Sequence, residues 1–281
     1  PKMSEKQTWP KMQKMKEAGE KIAMLTAYDY ASSSMAEKAG VDIILVGDSL
    51  SNVVQGNDTT LPATMDEMIY HTKAVRRGAP NTCIITDMPF GSYEVSIEEG
   101  VRNAIRILKE TGCDGVKLEG GAERAELIKA ITAASVPVMA HIGMTPQKIA
   151  QMGNFGVQGK SVEAAQKLLD DAKKLEAAGA VQVLMECVPT PLAAKITEAL
   201  TVPTIGIGAG NGCTGQVLVW YDMAGMYDKF CPKFVKKYAE AGALITQAMA
   251  DYVKEVKDGS FPDEAHSFGL KNAEEILPRL Y

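Results

Sequence analysis

VDIILVGDS, residues 41–49, is an apolar run that ends abruptly in Gly47, Asp48 and Ser49. A short continuous apolar run closed by turn residues reads as a strand buried on both faces, as in a parallel sheet. What decides the fold is that the pattern recurs. CIITD ends at Asp87, GVKLE at Glu119, VMAH at His141 and VLME at Glu186, so apolar segments repeatedly deliver a polar side chain at their C-terminal ends.

Helical stretches separate these segments. The first strand, Ile22 to Ala27, is followed by Tyr28, Asp29 and Tyr30 and by a small-residue helix that stops at Gly40, a usual helix terminator. Helices are expected from Met65 to Arg77, Glu98 to Thr111, Ala122 to Ala134, Val162 to Ala178 and Pro191 to Leu200. Strands are expected at Val136 to His141, Val181 to Glu186 and Pro203 to Gly208, with an eighth inside Val217 to Tyr221. Residues 3 to about 18 read as an amphipathic leading helix, and Lys233 to Asp258 as one or two closing helices.

This alternation, without a linker of distinct composition, predicts α/β architecture: a single (β/α)8 TIM barrel domain over residues 1–281. The leading helix falls in 1–20, the barrel in 21–230, and a C-terminal helical extension with the tail in 231–281. A doubly wound open sheet is the alternative. The loop SNVVQGNDTTLPAT after Leu50 is long for a compact domain and reads as a lid or binding loop.

A net charge of −5 over 281 residues gives no global attraction for nucleic acid or an anionic membrane. No window has the apolar length of a membrane span, and the charged N-terminal segment lacks a signal-peptide core, so a cytoplasmic protein is expected. The five cysteines are odd in number and never form C-x-x-C, which argues against a disulfide framework or a zinc site.

In a parallel barrel all strand C-termini open onto one face, so distant side chains converge there. Alternation places Lys117 and Glu119 on one side of their strand and Val116 and Leu118 on the other. If the apolar pair faces the helices, the charged pair faces the barrel interior, where it needs compensation. An internal ion network is the bland explanation. Three carboxylates, Asp48, Asp87 and Glu119, repel one another unless a cation holds them, and an oxygen-only ligand set suits Mg2+. Of the three histidines only His141 ends a strand; His71 sits inside a helix and His266 in the tail. Glu186 ends an apolar strand, where burial raises a carboxyl pKa and suits it to proton transfer. The glycines from Gly206 to Gly212 do not spell G-x-G-x-x-G, because position 211 is Asn; a phosphate pocket and tight packing account for them equally well.

TAYDY (26–30), LVGDSLSNVVQGNDTTLPATMDEMIYHTKAVRRGAP (45–80), KLEGG (117–121), HIGMTPQ (141–147), ECVP (186–189), IGIGAGNGCTGQVLV (205–219) and FPDEAHSF (261–268) resemble the ketopantoate hydroxymethyltransferase family. The resemblance runs from about residue 20 to 268. It implies a (β/α)8 barrel that transfers a hydroxymethyl group from 5,10-methylenetetrahydrofolate to 3-methyl-2-oxobutanoate, giving 2-dehydropantoate for pantothenate biosynthesis. It further implies magnesium-associated acids at Asp48, Asp87 and Glu119, and substrate contacts at Ser49, Lys117 and His141 together with Asp48 and Asp87. Glu186 matches the proposed catalytic base. A large homo-oligomer, a decamer, is implied as well. The chemistry agrees: a 2-oxo acid chelating Mg2+ becomes acidic at C3, and the metal and Lys117 stabilise the resulting enolate. Two other readings share these residues. One is a different Mg2+-dependent lyase or decarboxylase of 2-oxo acids, and the other a barrel that binds an oxo acid without catalysis.

Overall fold

The computed structural model describes residues 5–280. Eight parallel strands close into a barrel in chain order: β1 Ile22–Thr26, β2 Ile43–Val46, β3 Cys83–Asp87, β4 Gly115–Glu119, β5 Val138–Gly143, β6 Gln182–Glu186, β7 Thr204–Ile207 and β8 Gly215–Leu218. Val217 of β8 lies opposite Met24 of β1, which shuts the barrel and excludes an open sheet.

The helices are α1 Trp9–Glu17, α2 Tyr30–Lys38, α3 Leu50–Val53, α4 Met65–Gly78, α5 Ile97–Thr111, α6 Ala125–Ala133, α7 Ile149–Met152, α8 Val162–Ala177, α9 Thr190–Ala199, α10 Trp220–Met223, α11 Ala241–Asp258 and α12 Ala273–Ile276. Local chemistry sets their ends. Thr64 and Glu67 form a reciprocal capping box at the start of α4. Ser96 caps α5, which Gly112 stops in the left-handed conformation at φ +68°.

Strand alternation divides the apolar residues into two layers. Ile44, Val46, Ile84, Val116 and Leu118 pack outward in the core beneath the helices. Ile43, Leu45, Cys83, Ile85, Met139 and Leu184 form the inner core. Lys117 and Glu119 therefore occupy the inward side of β4, as the alternation predicts, and both are buried.

The leading helix closes the N-terminal end of this inner core. It begins at Trp9, with Pro10 in its first turn where no amide hydrogen is needed; residues 3 and 4 of the expected helix lie outside the described residues. Met12 is fully buried in the inner core, and Gln182 Nε2 lies 3.5 Å from its sulfur. Met12→Ala is expected to cost about 2–5 kcal/mol, because the bottom of a closed barrel has little freedom to collapse around a void. Urea unfolding of the two proteins measures it.

Several boundaries differ from expectation. β5 starts at Val138 rather than Val136, since Pro137 offers a carbonyl to Val116 but has no amide hydrogen for a ladder. β8 starts two residues earlier than its expected window, and no helix separates it from β7. The glycine-rich segment makes that return directly. Gly210 has φ +78°, and a Cβ there would stand 2.4 Å from the Thr190 side chain, so close packing against α9 requires glycine. The expected closing helix from Lys233 forms only from Ala241 onward. α11 has no buried residue; Leu244, Met249 and Tyr252 are 73%, 64% and 58% exposed. Among the described residues no helix is long and apolar enough to cross a membrane.

Candidate active site

The C-terminal ends of β2 to β6 bring the expected polar residues into one connected cluster. Lys117 Nζ lies 2.9 Å from Asp87 Oδ1 and 3.1 Å from His141 Nδ1. His141 Nε2 lies 3.2 Å from Glu186 Oε2, and its Nδ1 is 3.7 Å from Glu119 Oε1. Asp87 Oδ2 accepts the backbone N–H of Asp48 at 2.9 Å. The register puts Asp87 beside Lys117 and Glu119 beside His141 on paired strands. Ser49 stands at the edge, its Oγ 2.7 Å from the hydroxyl of buried Tyr28. His71 and His266 do not join: His71 Nδ1 lies 2.6 Å from the Tyr28 carbonyl, and exposed His266 contacts Asp263.

Sequence reasoning assigned no role to Gln147, Tyr93 or Tyr28. Gln147 is buried in the loop after β5, where its backbone N–H donates to Glu119 Oε2 at 3.0 Å. Its side-chain Nε2 donates to Asp48 Oδ2 at 2.8 Å and to the Met88 carbonyl at 3.0 Å. Its Oε1 accepts from the Tyr93 hydroxyl, which in turn accepts the Glu119 N–H at 3.1 Å. Gln147 thus ties Asp48 to Glu119. Neutral amides and phenols in loops carry no spacing signal; only the juxtaposition of Gln147 with two acids reveals it.

The electrostatics are unbalanced. Four carboxyl groups, Asp48, Asp87, Glu119 and Glu186, share the cluster with one ammonium group, which contacts Asp87. Burial, then the neighbouring Asp87 charge, holds Asp48 well above the usual carboxylate range. Burial pushes Glu119 up to about 8 against the opposing pull of Lys117. Burial likewise raises Glu186 to about 8, with Asp48 and Asp87 adding to it and Lys117 opposing. Burial disfavours the Lys117 charge, but Asp87, Glu119 and Asp48 outweigh it and raise its pKa. His141 is pushed well below its ordinary value by burial and then by Lys117, so its imidazole is neutral. With the ammonium donating to Nδ1, the histidine proton is assigned to Nε2, facing Glu186. That buried nitrogen has no well-aligned hydrogen-bond partner and is available to a ligand oxygen. Directly after Glu186, Cys187 adopts φ +50°, a conformation non-glycine residues rarely take and one that recurs at functional sites.

An excess of carboxylates over cations is what a hard divalent ion would relieve, and buried Asp87 Oδ1 has no hydrogen bond of good geometry despite its ion pair with Lys117. The donor set therefore fits Mg2+. Among the described residues, no three Asp, Glu, His or Cys side chains converge closely enough to surround one ion. Asp48 and Asp87 are adjacent, while Glu119 is tied to Gln147. The protein side offers few direct ligands, leaving positions for water and substrate oxygens, as Mg2+ sites commonly do.

Glu119 and Gln147 also form a wall of a cavity of about 290 Å3 bounded by Leu61, Phe90, Tyr93, Glu94, Arg124 and Gln151. The Arg124 guanidinium carbon stands 5.1 Å from the Tyr93 ring centroid. A second cavity of about 240 Å3 lies against Gly143, Thr145, Lys167 and Asp171 and includes none of the four acids.

The sequence matches the family model described as ketopantoate hydroxymethyltransferase over residues 6–264. It is 55% identical over 270 residues to 3-methyl-2-oxobutanoate hydroxymethyltransferase of Carboxydothermus hydrogenoformans, covering 96% of this chain and 97% of the relative. The same-named protein of Syntrophus aciditrophicus is 56% identical over 254 residues, covering 90% and 93%. Among solved structures, phosphonopyruvate hydrolase in complex with oxalate and Mg2+ superposes with a TM-score of 0.60 at 14% identity, covering 96% of this chain and 95% of that one. A 2,3-dimethylmalate lyase of the PEP mutase/isocitrate lyase superfamily superposes with a TM-score of 0.59 at 14% identity, covering 92% and 91%. These two likenesses establish shared fold alone.

Proposed function

The chain belongs to the ketopantoate hydroxymethyltransferase family and is an enzyme of one-carbon transfer to 3-methyl-2-oxobutanoate, and we propose that the acid cluster above β2–β6 is its active site. The product is 2-dehydropantoate, in pantothenate biosynthesis. The observation that carries the site reading is the continuous chain of contacts from Asp87 through Lys117 and His141 to Glu186. It sets a fixed cation, a neutral imidazole and a carboxyl of raised pKa around one point at the barrel mouth.

The one-carbon donor is 5,10-methylenetetrahydrofolate. Asp48 and Asp87 would hold Mg2+ directly, with Glu119 acting through water. When bound, the ion supplies Lewis acidity that makes the C3 proton of a 2-oxo acid removable. Glu186 takes that proton; its raised pKa brings a carboxylate close to the basicity the task needs. Lys117, held charged by its acidic neighbours, faces the oxygen on which negative charge grows and needs no reorganisation to do so. His141 donates from Nε2 to a substrate oxygen, and Ser49 orients the bound acid from the rim. Gln147 keeps Asp48 and Glu119 in register. Water hydrolyses the methylene bridge, breaking both of its carbon–nitrogen bonds, so that tetrahydrofolate leaves with the two protons of the water and the one-carbon unit keeps its oxygen as an aldehyde; C3 then attacks that carbonyl carbon, and the resulting alkoxide takes up a proton to become the hydroxymethyl group.

The enzyme works in the cytoplasm as a homo-oligomer, the resemblance implying a decamer. The exposed apolar stripe of Leu244, Met249 and Tyr252 on α11 supports assembly, since a face of that kind is usually covered by a partner.

Proton abstraction can be tested apart from one-carbon transfer. In deuterated buffer without folate, the protein is expected to exchange the C3 hydrogen of 3-methyl-2-oxobutanoate in the presence of Mg2+ and not after chelation. NMR follows the loss of the C3 proton signal. Exchange indifferent to Mg2+, or none at all, overturns this mechanism.

A further inference from the structure

A one-carbon carrier must deliver its methylene carbon to C3 of the oxo acid, so its binding site has to open onto the acid cluster. Of the two cavities described above, the one bounded by Phe90, Tyr93 and Arg124 shares side chains with the cluster, Glu119 and Gln147, and the other does not. Resting on the functional reading above, we propose that this cavity binds the pteridine ring of the folate co-substrate.

The walls match that chemistry. A pteridine is a flat heteroaromatic with stackable faces and an edge rich in hydrogen-bonding groups. Phe90 is 48% exposed beside the opening, an uncovered aromatic on which a ring can stack. Leu61, from the long loop after β2, closes another side. Arg124 supplies the polar partner. Its guanidinium rests over Tyr93 at the cavity wall. A guanidinium is a rigid, permanently charged donor, and the carbonyl edge of a pteridine is an acceptor for it.

Tyr93 links the two sites. Its ring carries Arg124 on the cavity side, while its hydroxyl bonds Gln147 and receives the Glu119 amide. The second cavity lacks these features. No aromatic side chain lines it, and the cation that lines it and not the first cavity, Lys167, is already paired with Asp171 at 2.5 Å.

The test measures steady-state kinetics of Phe90→Ala, Arg124→Gln and, in the second cavity, Leu168→Arg, with calorimetric titration of tetrahydrofolate into each protein in the presence of Mg2+ and 3-methyl-2-oxobutanoate. Loss of one stacking face or one well-placed donor is worth about tenfold in affinity or more. Phe90→Ala and Arg124→Gln are each expected to raise KM for methylenetetrahydrofolate and the Kd for tetrahydrofolate by about that factor. KM for the oxo acid is expected to move less than about twofold. Unaltered folate binding in both variants, or a rise confined to Leu168→Arg, overturns the assignment. Wild-type C3 exchange without folate separates the two levels. Exchange with folate binding unmoved by the Phe90 and Arg124 variants removes the cavity assignment alone, and absent exchange removes the reading on which it stands.

Discussion

Glu186→Gln is expected to lower kcat about a thousandfold, the middle of the range over which a positioned general base acts. Gln keeps the size and the contact with His141 but cannot take a proton. Binding of the oxo acid and of Mg2+ is expected to persist, because the variant keeps Asp48 and Asp87, the carboxylates proposed to hold the ion, and changes little charge below the Glu186 pKa of about 8. The pH profile gives a second readout. The base is the carboxylate, so the rate of C3 exchange rises with pH as Glu186 ionises and levels off above its pKa of about 8. A cation bound nearby favours the ionised form, which puts the inflection at or below that value. Under the inflection the rate falls about tenfold per pH unit. The variant loses this limb together with its activity.

Stability moves in the opposite direction. A carboxyl whose pKa is higher folded than unfolded binds more protons in the native state between the two values. Native stability therefore declines as pH rises from the ordinary glutamate range near 4.3 through about 8. Gln cannot ionise and escapes that cost, so in metal-free buffer above pH 8 the variant is expected to melt at a higher temperature than wild type. A kcat within about tenfold of wild type, or a variant that is less stable at high pH, contradicts the proton-transfer role argued for Glu186.

The features legible in the sequence were those with a period or a chemical sign. Strand alternation places Lys117 and Glu119 together on one side of β4, the inward side, because the side-chain period of a strand is fixed. The recurrence of polar residues after apolar runs located Asp48, Asp87, His141 and Glu186 at one mouth, since parallel strands in a barrel all end on the same face. What stayed hidden has no such sign. Gln147 and Tyr93 are neutral, lie in loops, and matter only through partners 99 and 26 residues away, Asp48 and Glu119. The close packing of the turn between β7 and β8 was obscured for a related reason. Glycines signal permissive backbone, and only the Thr190 side chain pressing on Gly210 says what the permission is for. Charge counting also went only part of the way. Three acids suggested one ion; Gln147, which hydrogen-bonds both Glu119 and Asp48, carries no charge to be counted, and it is the reason our proposal gives the direct contacts to Asp48 and Asp87.

Lys117→Met distinguishes a catalytic charge from an internal ion network. The ammonium is buried between Asp87 and His141. Losing a preorganised charge aimed at a developing oxyanion is expected to lower kcat about 100- to 1,000-fold, by analogy with removal of a single oxyanion donor. Removing the partner of a buried carboxylate also destabilises the fold, by about 3–5 kcal/mol when nothing replaces it. Mg2+ can replace it in part. With one cation fewer among the same four acids, divalent binding becomes electrostatically more favourable, so the rise in melting temperature on adding Mg2+ is expected to be larger in Lys117→Met than in wild type. Asp87→Asn is expected to do the reverse and diminish that rise, since it removes the negative charge and one of the two carboxylate oxygens of a proposed ligand. A network that serves structure alone predicts something else: lowered stability in both variants, with kcat per folded molecule retained at saturating Mg2+. Measured melting curves with and without the ion, alongside kcat corrected for the folded fraction, separate these outcomes. A large loss of kcat in a variant whose fold Mg2+ restores assigns the Lys117 charge to the reaction.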